Sequence, residues 1–188
     1  MGGAAIAGSW WLHGRPWDRH QARCLSGVIA RTLRGAYVAA ELRMSVLFET
    51  STSWAITVVR VILGVIVFAH GAQKVFGWFG GYGLKGTTGY FVSIGLPLPV
   101  AYVACFMELL GGIGLVLGLF TRLAALAVIG SMAGAIAKVH APHGFFINWE
   151  LAPGRGHGFE ANLAFIAMAA ACLIAGGGAL SLDLLLMR

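Results

Sequence analysis

Charge is what this sequence has least of. Charged side chains make up 11% of its 188 residues and hydrophobic ones 59%, whereas a soluble domain carries about a quarter charged residues. With a mean hydropathy of +0.82, that scarcity excludes an ordinary soluble domain and indicates an integral membrane protein built as one bundle. Cysteine is also sparse. Cys24, Cys105 and Cys172 are scattered, with no CxxC or CxxCH, so neither a thioredoxin-type motif nor a c-type haem attachment is present. Cys105 and Cys172 sit in apolar runs, where a thiol acts as a small hydrophobe. Residues 1–43 lack the apolar core of a signal peptide. Basic and aromatic residues do not interleave in a soluble domain, which argues against a nucleic-acid partner. Glycine, by contrast, is abundant, with 28 residues; small residues let membrane helices approach closely.

The net charge of +6 is unevenly distributed. Arg15, Arg19, Arg23, Arg31, Arg34 and Arg43 all precede Met44, and the remainder is nearly balanced. On a helical wheel Arg23, Arg31, Arg34 and Glu41 oppose Leu25, Val28, Ile29 and Ala36. Residues 1–43 therefore read either as an interfacial amphipathic arm or as an extension ahead of a true start at Met44. Residues 44–188 hold four apolar spans, at about 54–72, 100–120, 123–139 and 160–180, each near the ~20 residues that cross a bilayer. The fold class is thus all-α, a four-helix transmembrane bundle. Spans two and three are joined by a tight turn at Thr121–Arg122, whereas 73–99 and 140–159 are long loops with Pro97, Pro99, Pro142 and Pro153 as breakers. Residues 87–94 could form a short interfacial helix, and Trp78, Phe79 and Tyr82 suit an aromatic belt. The positive-inside rule puts the arm, the Arg122 turn and both termini in the cytoplasm, and the long loops outside.

Ionisable residues inside the apolar runs carry the functional signal, because such a group costs several kcal/mol unless paired or hydrated. Arg60, Gly64, Val67, His70, Gly71 and Lys74 share about a third of the circumference of the first span. Ala101, Ala104, Glu108 and Leu115 share a face of the second, flanked by Gly111 and Gly112. Depths counted at ~1.5 Å per residue bring Arg60 and Glu108 within several ångströms along the membrane normal, predicting an Arg60–Glu108 pair. His70, Lys74, Lys138, His140 and Glu160 would gather under the long loops as a polar cluster. Gly114/Gly118 and Gly130/Gly134 form GxxxG pairs that read as close packing.

Two interpretations of these groups stay open. In the structural one a buried ion pair fixes helix register, and Lys74, Lys138 and His140 snorkel to the interface. In the functional one, an apolar cavity with a carboxylate and a histidine at its polar end suits a quinone headgroup, whose reduction needs two protons. His70 and His140 could in principle hold a haem, though nothing else supports that.

The motifs also fall in a familiar order. Arg60-(x)3-Gly64, His70-Gly71-(x)2-Lys74 and Gly95-Leu-Pro97 are followed by Glu108-Leu-Leu-Gly111-Gly112, then Gly118-Leu-Phe-Thr121-Arg122 and Lys138-Val-His140. Glu160 and Ser181-Leu-Asp183 close the series. Over roughly residues 55–187 the chain resembles the DoxX family of small four-helix membrane proteins. The resemblance implies an inner-membrane protein with redox or respiratory associations, and carries over Arg60, His70, Lys74, Glu108, Arg122, His140 and Glu160 as motif positions. The favoured function is a small membrane subunit associated with quinone-linked redox chemistry. Glu108 and His70 would handle protons there, Arg60 would hold Glu108, and Glu160 with Lys138 would close the polar end. The rivals are a scaffold that docks a soluble redox enzyme through Trp78 or Trp149, and a solute or proton pathway that would need a homo-oligomer to be wide enough. Besides the bilayer, the implied partner is another respiratory or redox subunit.

Overall fold

A computed structural model describes residues 31–37 and 48–187. The chain divides into two compact units, Met1–Arg43 and Met44–Arg188. In the first, residues 31–37 are helical and exposed; the rest of the amphipathic arm lies outside the described residues.

The second unit is all-helical over its described residues. Helix α1 spans Trp54–Phe76, α2 Gly83–Ser93, α3 Leu98–Leu117, α4 Thr121–Ala135, α5 Glu160–Ala175 and α6 Leu182–Leu186. Helix α4 runs on through a π-helical turn, Ile136–His140, and a 3-10 turn, Ala141–His143. Among the described residues, three helical segments are long and apolar enough to cross a membrane: Trp54–Phe76, Leu98–Leu117 and Thr121–His143. The fourth expected span is shorter. Helix α5 stops after 16 residues, because Gly176, Gly177 and Gly178 follow, and Gly176 and Gly178 adopt positive φ, which ends a helix. A short helix is present over most of the anticipated 87–94 stretch as α2, running from Gly83 to Ser93.

Sequence explains these boundaries. Ser53 caps α1 by accepting from Ile56 N at 3.4 Å, and Gly77 ends it with φ of 75°. Pro97 and Pro99 open α3, where a missing N–H costs nothing, and Gly118 closes it with φ of 65°. Apolar stripes of α1, α3, α4 and α5 meet in a core of Leu63, Val67, Leu115, Val128, Met132 and Ala169. Cys105 and Cys172 are fully buried free thiols.

Helices α1 and α3 are antiparallel and touch backbone to backbone. A Cβ added at Gly64 would sit 2.7 Å from Val116 N, one at Gly71 2.4 Å from Leu109 N, and one at Gly112 2.4 Å from Phe68 N. These contacts set a single register, with Glu108 level with residues 71–72. The GxxxG pairs contribute less than expected. Nothing lies within 4 Å of a Cβ on Gly134, and Gly130 meets only the flexible end of Met107. Gly118 serves as the α3 terminator, packed on Ser181 and the Arg60 guanidinium.

The register also overturns the expected Arg60–Glu108 pair, since the two lie about three helical turns apart along α1. Arg60, 1% exposed, donates from Nε to Gly177 O at 2.7 Å and from Nη1 to Val116 O at 3.0 Å. It also bonds the Leu115 and Leu180 carbonyls. Five guanidinium donors need several acceptors. The last turn of α3 offers carbonyls with acceptor capacity to spare at the negative end of its dipole, and the chain after α5 supplies the others. Asp183 does the complementary work at the start of α4, accepting from Phe120 N at 2.7 Å and Thr121 N at 2.8 Å.

Gly71→Ala should destabilise the bundle by about 1–3 kcal/mol, because the methyl would meet backbone rather than a movable side chain. Gly134→Ala should be neutral or stabilising. Unfolding midpoints in mild detergent with increasing SDS would separate the two.

Candidate functional site

The α1–α3 register brings the last turns of α1 over the middle of α3. Side chains on a helix lean toward its N-terminus, so Lys74 reaches back to Glu108 and forms an ion pair with Oε2. Ser131 of α4 donates to the other oxygen, Oε1, at 2.7 Å. Both oxygens of a carboxylate that is 4% exposed are therefore partnered from two neighbouring helices, α1 and α4, the condition under which a charge is tolerated inside a membrane bundle. Sequence reading missed Ser131, and only its place on α4 opposite Glu108 could have drawn attention to it.

A cavity of about 500 Å³ lies on one side of this pair. Its walls are apolar, from Val100, Val103 and Met107 of α3, Gly130 and Gly134 of α4, and Phe91 of α2. Its polar groups are Lys74, Glu108, Ser131, Lys138 and His140. On the other side is a second cavity, of about 390 Å³, beneath the 144–159 loop. His70, His140, His157 and Trp149 line it together with Asn162 of α5. Lys74, Glu108 and His140 border both cavities. The π-helical turn carries Lys138 and His140; such turns widen a helix and recur at functional sites. His140 Nδ1 lies 2.9 Å from the His157 carbonyl oxygen.

The sequence-derived site residues thus separate into groups. Lys74, Glu108, Lys138 and His140 share the larger cavity, and His70 joins Lys74, Glu108 and His140 at the smaller. Arg60 is remote, as described. Glu160, the first residue of α5, ties that helix to the loop: its Oε1 accepts from Ile147 N at 3.1 Å and its own N donates to Phe145 O at 2.9 Å. Arg122 donates to Glu49 O at 3.0 Å, away from either cavity. Also unforeseen were His157 and Asn148. Asn148 folds the loop by bonding the Ala152 carbonyl at 3.1 Å and the Arg155 carbonyl at 2.7 Å.

A bundle of long apolar helices with a buried ion pair and an adjoining apolar cavity defines a multi-pass helical membrane protein. Residues 55–141 match the DoxX family model, the same family that the ordered motifs resemble. The matched stretch runs from α1 through the extension of α4, so it contains the Lys74–Glu108–Ser131 arrangement and leaves Glu160 and Asp183 outside. A Bacillus subtilis (strain 168) protein named "Putative oxidoreductase CatD" is 40% identical over 91 residues, which cover 48% of this chain and 63% of that relative. The match therefore spans less than two thirds of the relative. No solved structure matches the chain.

Removing one partner of a buried pair strands the other charge. Lys74→Met should cost about 3–5 kcal/mol, and combining it with Glu108→Leu should recover part of that loss. A double-mutant cycle on unfolding free energies checks this; strictly additive losses would show that the two charges are not coupled.

Proposed function

We propose that the protein is a small inner-membrane subunit of a quinone-linked redox system, and that the larger cavity receives the quinone headgroup. The observation that carries this reading is the Lys74–Glu108–Ser131 arrangement at the polar end of an otherwise apolar cavity of about 500 Å³. A site for a small apolar ligand is of this kind: mostly hydrophobic, with a few placed polar groups. The name of the relative, an oxidoreductase, supports a redox setting.

The chemistry asked of this chain is binding and proton movement. When two electrons arrive from a redox-active partner subunit, two O–H bonds form at the carbonyl oxygens of the quinone; in the reverse direction the same bonds break. Lys74 Nζ, Lys138 Nζ and a protonated His140 ring nitrogen can donate to a headgroup oxygen. Glu108 holds Lys74 in place and can accept a proton. His70 lies one turn from Lys74 on α1 and extends the set of titratable groups away from the headgroup. By the positive-inside rule the turn bearing Arg122, with both termini, faces the cytoplasm, and the cavities open toward the outer half of the membrane.

The scaffold reading has its own support in the exposed loop aromatics Trp149, 78% exposed, and Trp78, 52% exposed. It predicts loss of a bound partner on replacing either tryptophan, with no effect of Glu108.

Protein purified in mild detergent should retain near-stoichiometric quinone in its extractable lipid fraction. Glu108→Gln, which leaves the Lys74 charge without its partner, should lose that quinone and abolish quinol turnover, with its stability cost measured separately by unfolding in SDS. Normal turnover in the variant would refute the assignment, and absence of quinone from the native protein would favour the scaffold.

A further inference from the structure

The two cavities differ in kind, and the ion pair stands between them. The larger shares Val103 and Met107 with a groove on the outer surface of α3 and α4, whose exposed Phe106, Leu110 and Leu123 belong to the lipid-facing side. The smaller has no such connection. Its lining brings together imidazoles from α1, the α4 extension and the 144–159 loop, with a carboxamide from α5. A cavity that is roomy and supplies several polar partners holds water, and the smaller one meets both conditions. At roughly 30 Å³ per molecule, the smaller space admits on the order of ten waters.

We propose that the Lys74–Glu108 pair is a septum between a lipid-facing chamber, apolar except at its polar end, and a wet, loop-covered one, and that the wet chamber exchanges protons with the ligand across it. The chemistry of the ligand rests on the quinone reading, whereas the wetness of the smaller cavity does not. The groups facing the pair from that side are His70 on the same helix as Lys74, His140 on the α4 extension and His157 on the loop, with Asn162 contributed by α5. A proton taken from water by an imidazole of this set passes through the chamber to Glu108, or to Lys74 once the ammonium has given its own proton to the ligand. From there it forms the O–H bond on the ligand oxygen as the electrons arrive from the partner. The His140 ring, bordering both chambers and fixed by its contact with the His157 carbonyl, provides a second crossing.

Single cysteines introduced into a Cys24→Ser background read the two environments, because the native Cys105 and Cys172 are fully buried. In full-length protein in nanodiscs, Ala161→Cys and His70→Cys, which line only the smaller cavity, should react with a small cationic methanethiosulfonate. The rate should be at least a hundredfold above that of Met107→Cys, on the lipid-facing side. Equal rates, or protection of both smaller-cavity positions, would overturn the proposal. In membranes that keep the electron-transfer partner, Ala161→Phe and Phe165→Trp should fill the wet chamber. Each should slow quinol turnover tenfold or more with bound quinone unchanged. Unaffected turnover would remove the proton role, whereas missing quinone in the unmodified protein would sink the quinone reading and leave the labelling result standing.

Discussion

Helices α1 and α3 are held so close that neither could carry a side chain at the points of contact. Gly64, Gly71 and Gly112 allow main chain to rest against main chain, and the resulting register decides what every polar residue on α1 meets. Lys74 meets Glu108 because Gly71 lies against Leu109. Arg60 meets the end of α3 because Gly64 lies against Leu115 and Val116. In lipid there is little hydrophobic drive to bring helices together, so contact of this kind is where specificity and packing energy are available. A shift of one turn, about 5.4 Å, would part both charges from their partners at once.

The two ends of the α3–α4 connection show how charge can be buried without forming an ion pair. A cation from α1 sits on the carbonyls that end α3, and an anion from the C-terminal segment sits on the amides that begin α4. Each ionised group completes hydrogen bonds that a helix terminus must otherwise leave open, and each complements the sign of the local dipole. The turn is thereby tied to α1 and to the chain beyond α5. Asp183 N adds a bond to Gly118 O at 2.9 Å. Arg60 and Asp183 therefore hold the end of the bundle opposite the cavities.

Much of the architecture could be read from hydropathy, because long uncharged runs have few alternatives to crossing a bilayer as helices. Lys74, Glu108, His70 and His140 could be picked out for the same reason: each is costly where it stands. Their partners were harder to find. The Arg60–Glu108 expectation rested on depth counted from the ends of each span, and that method cannot see that α1 continues to Phe76 or where glycines lock it to α3. Ser131 and Asn162 carry no charge and leave no hydropathy signature, so their roles emerge only when α4 and α5 are in place. Glu160 looked like a site residue because it is acidic and near the membrane. One of its carboxylate oxygens accepts from the Ile147 amide, a loop contact that no spacing rule announces.

Helix α5 has 16 residues and spans about 24 Å at 1.5 Å per residue, less than the ~30 Å of a typical hydrocarbon core. A segment that is too short draws the surrounding lipid thinner or pulls its flanking polar chain inward. The helix stops at Gly176, on the side of the bundle where Gly177 and Leu180 turn their carbonyls to Arg60. The missing length lies at that end, opposite the cavities, so a change in bilayer thickness bears first on the glycine-rich segment that holds the Arg60 guanidinium.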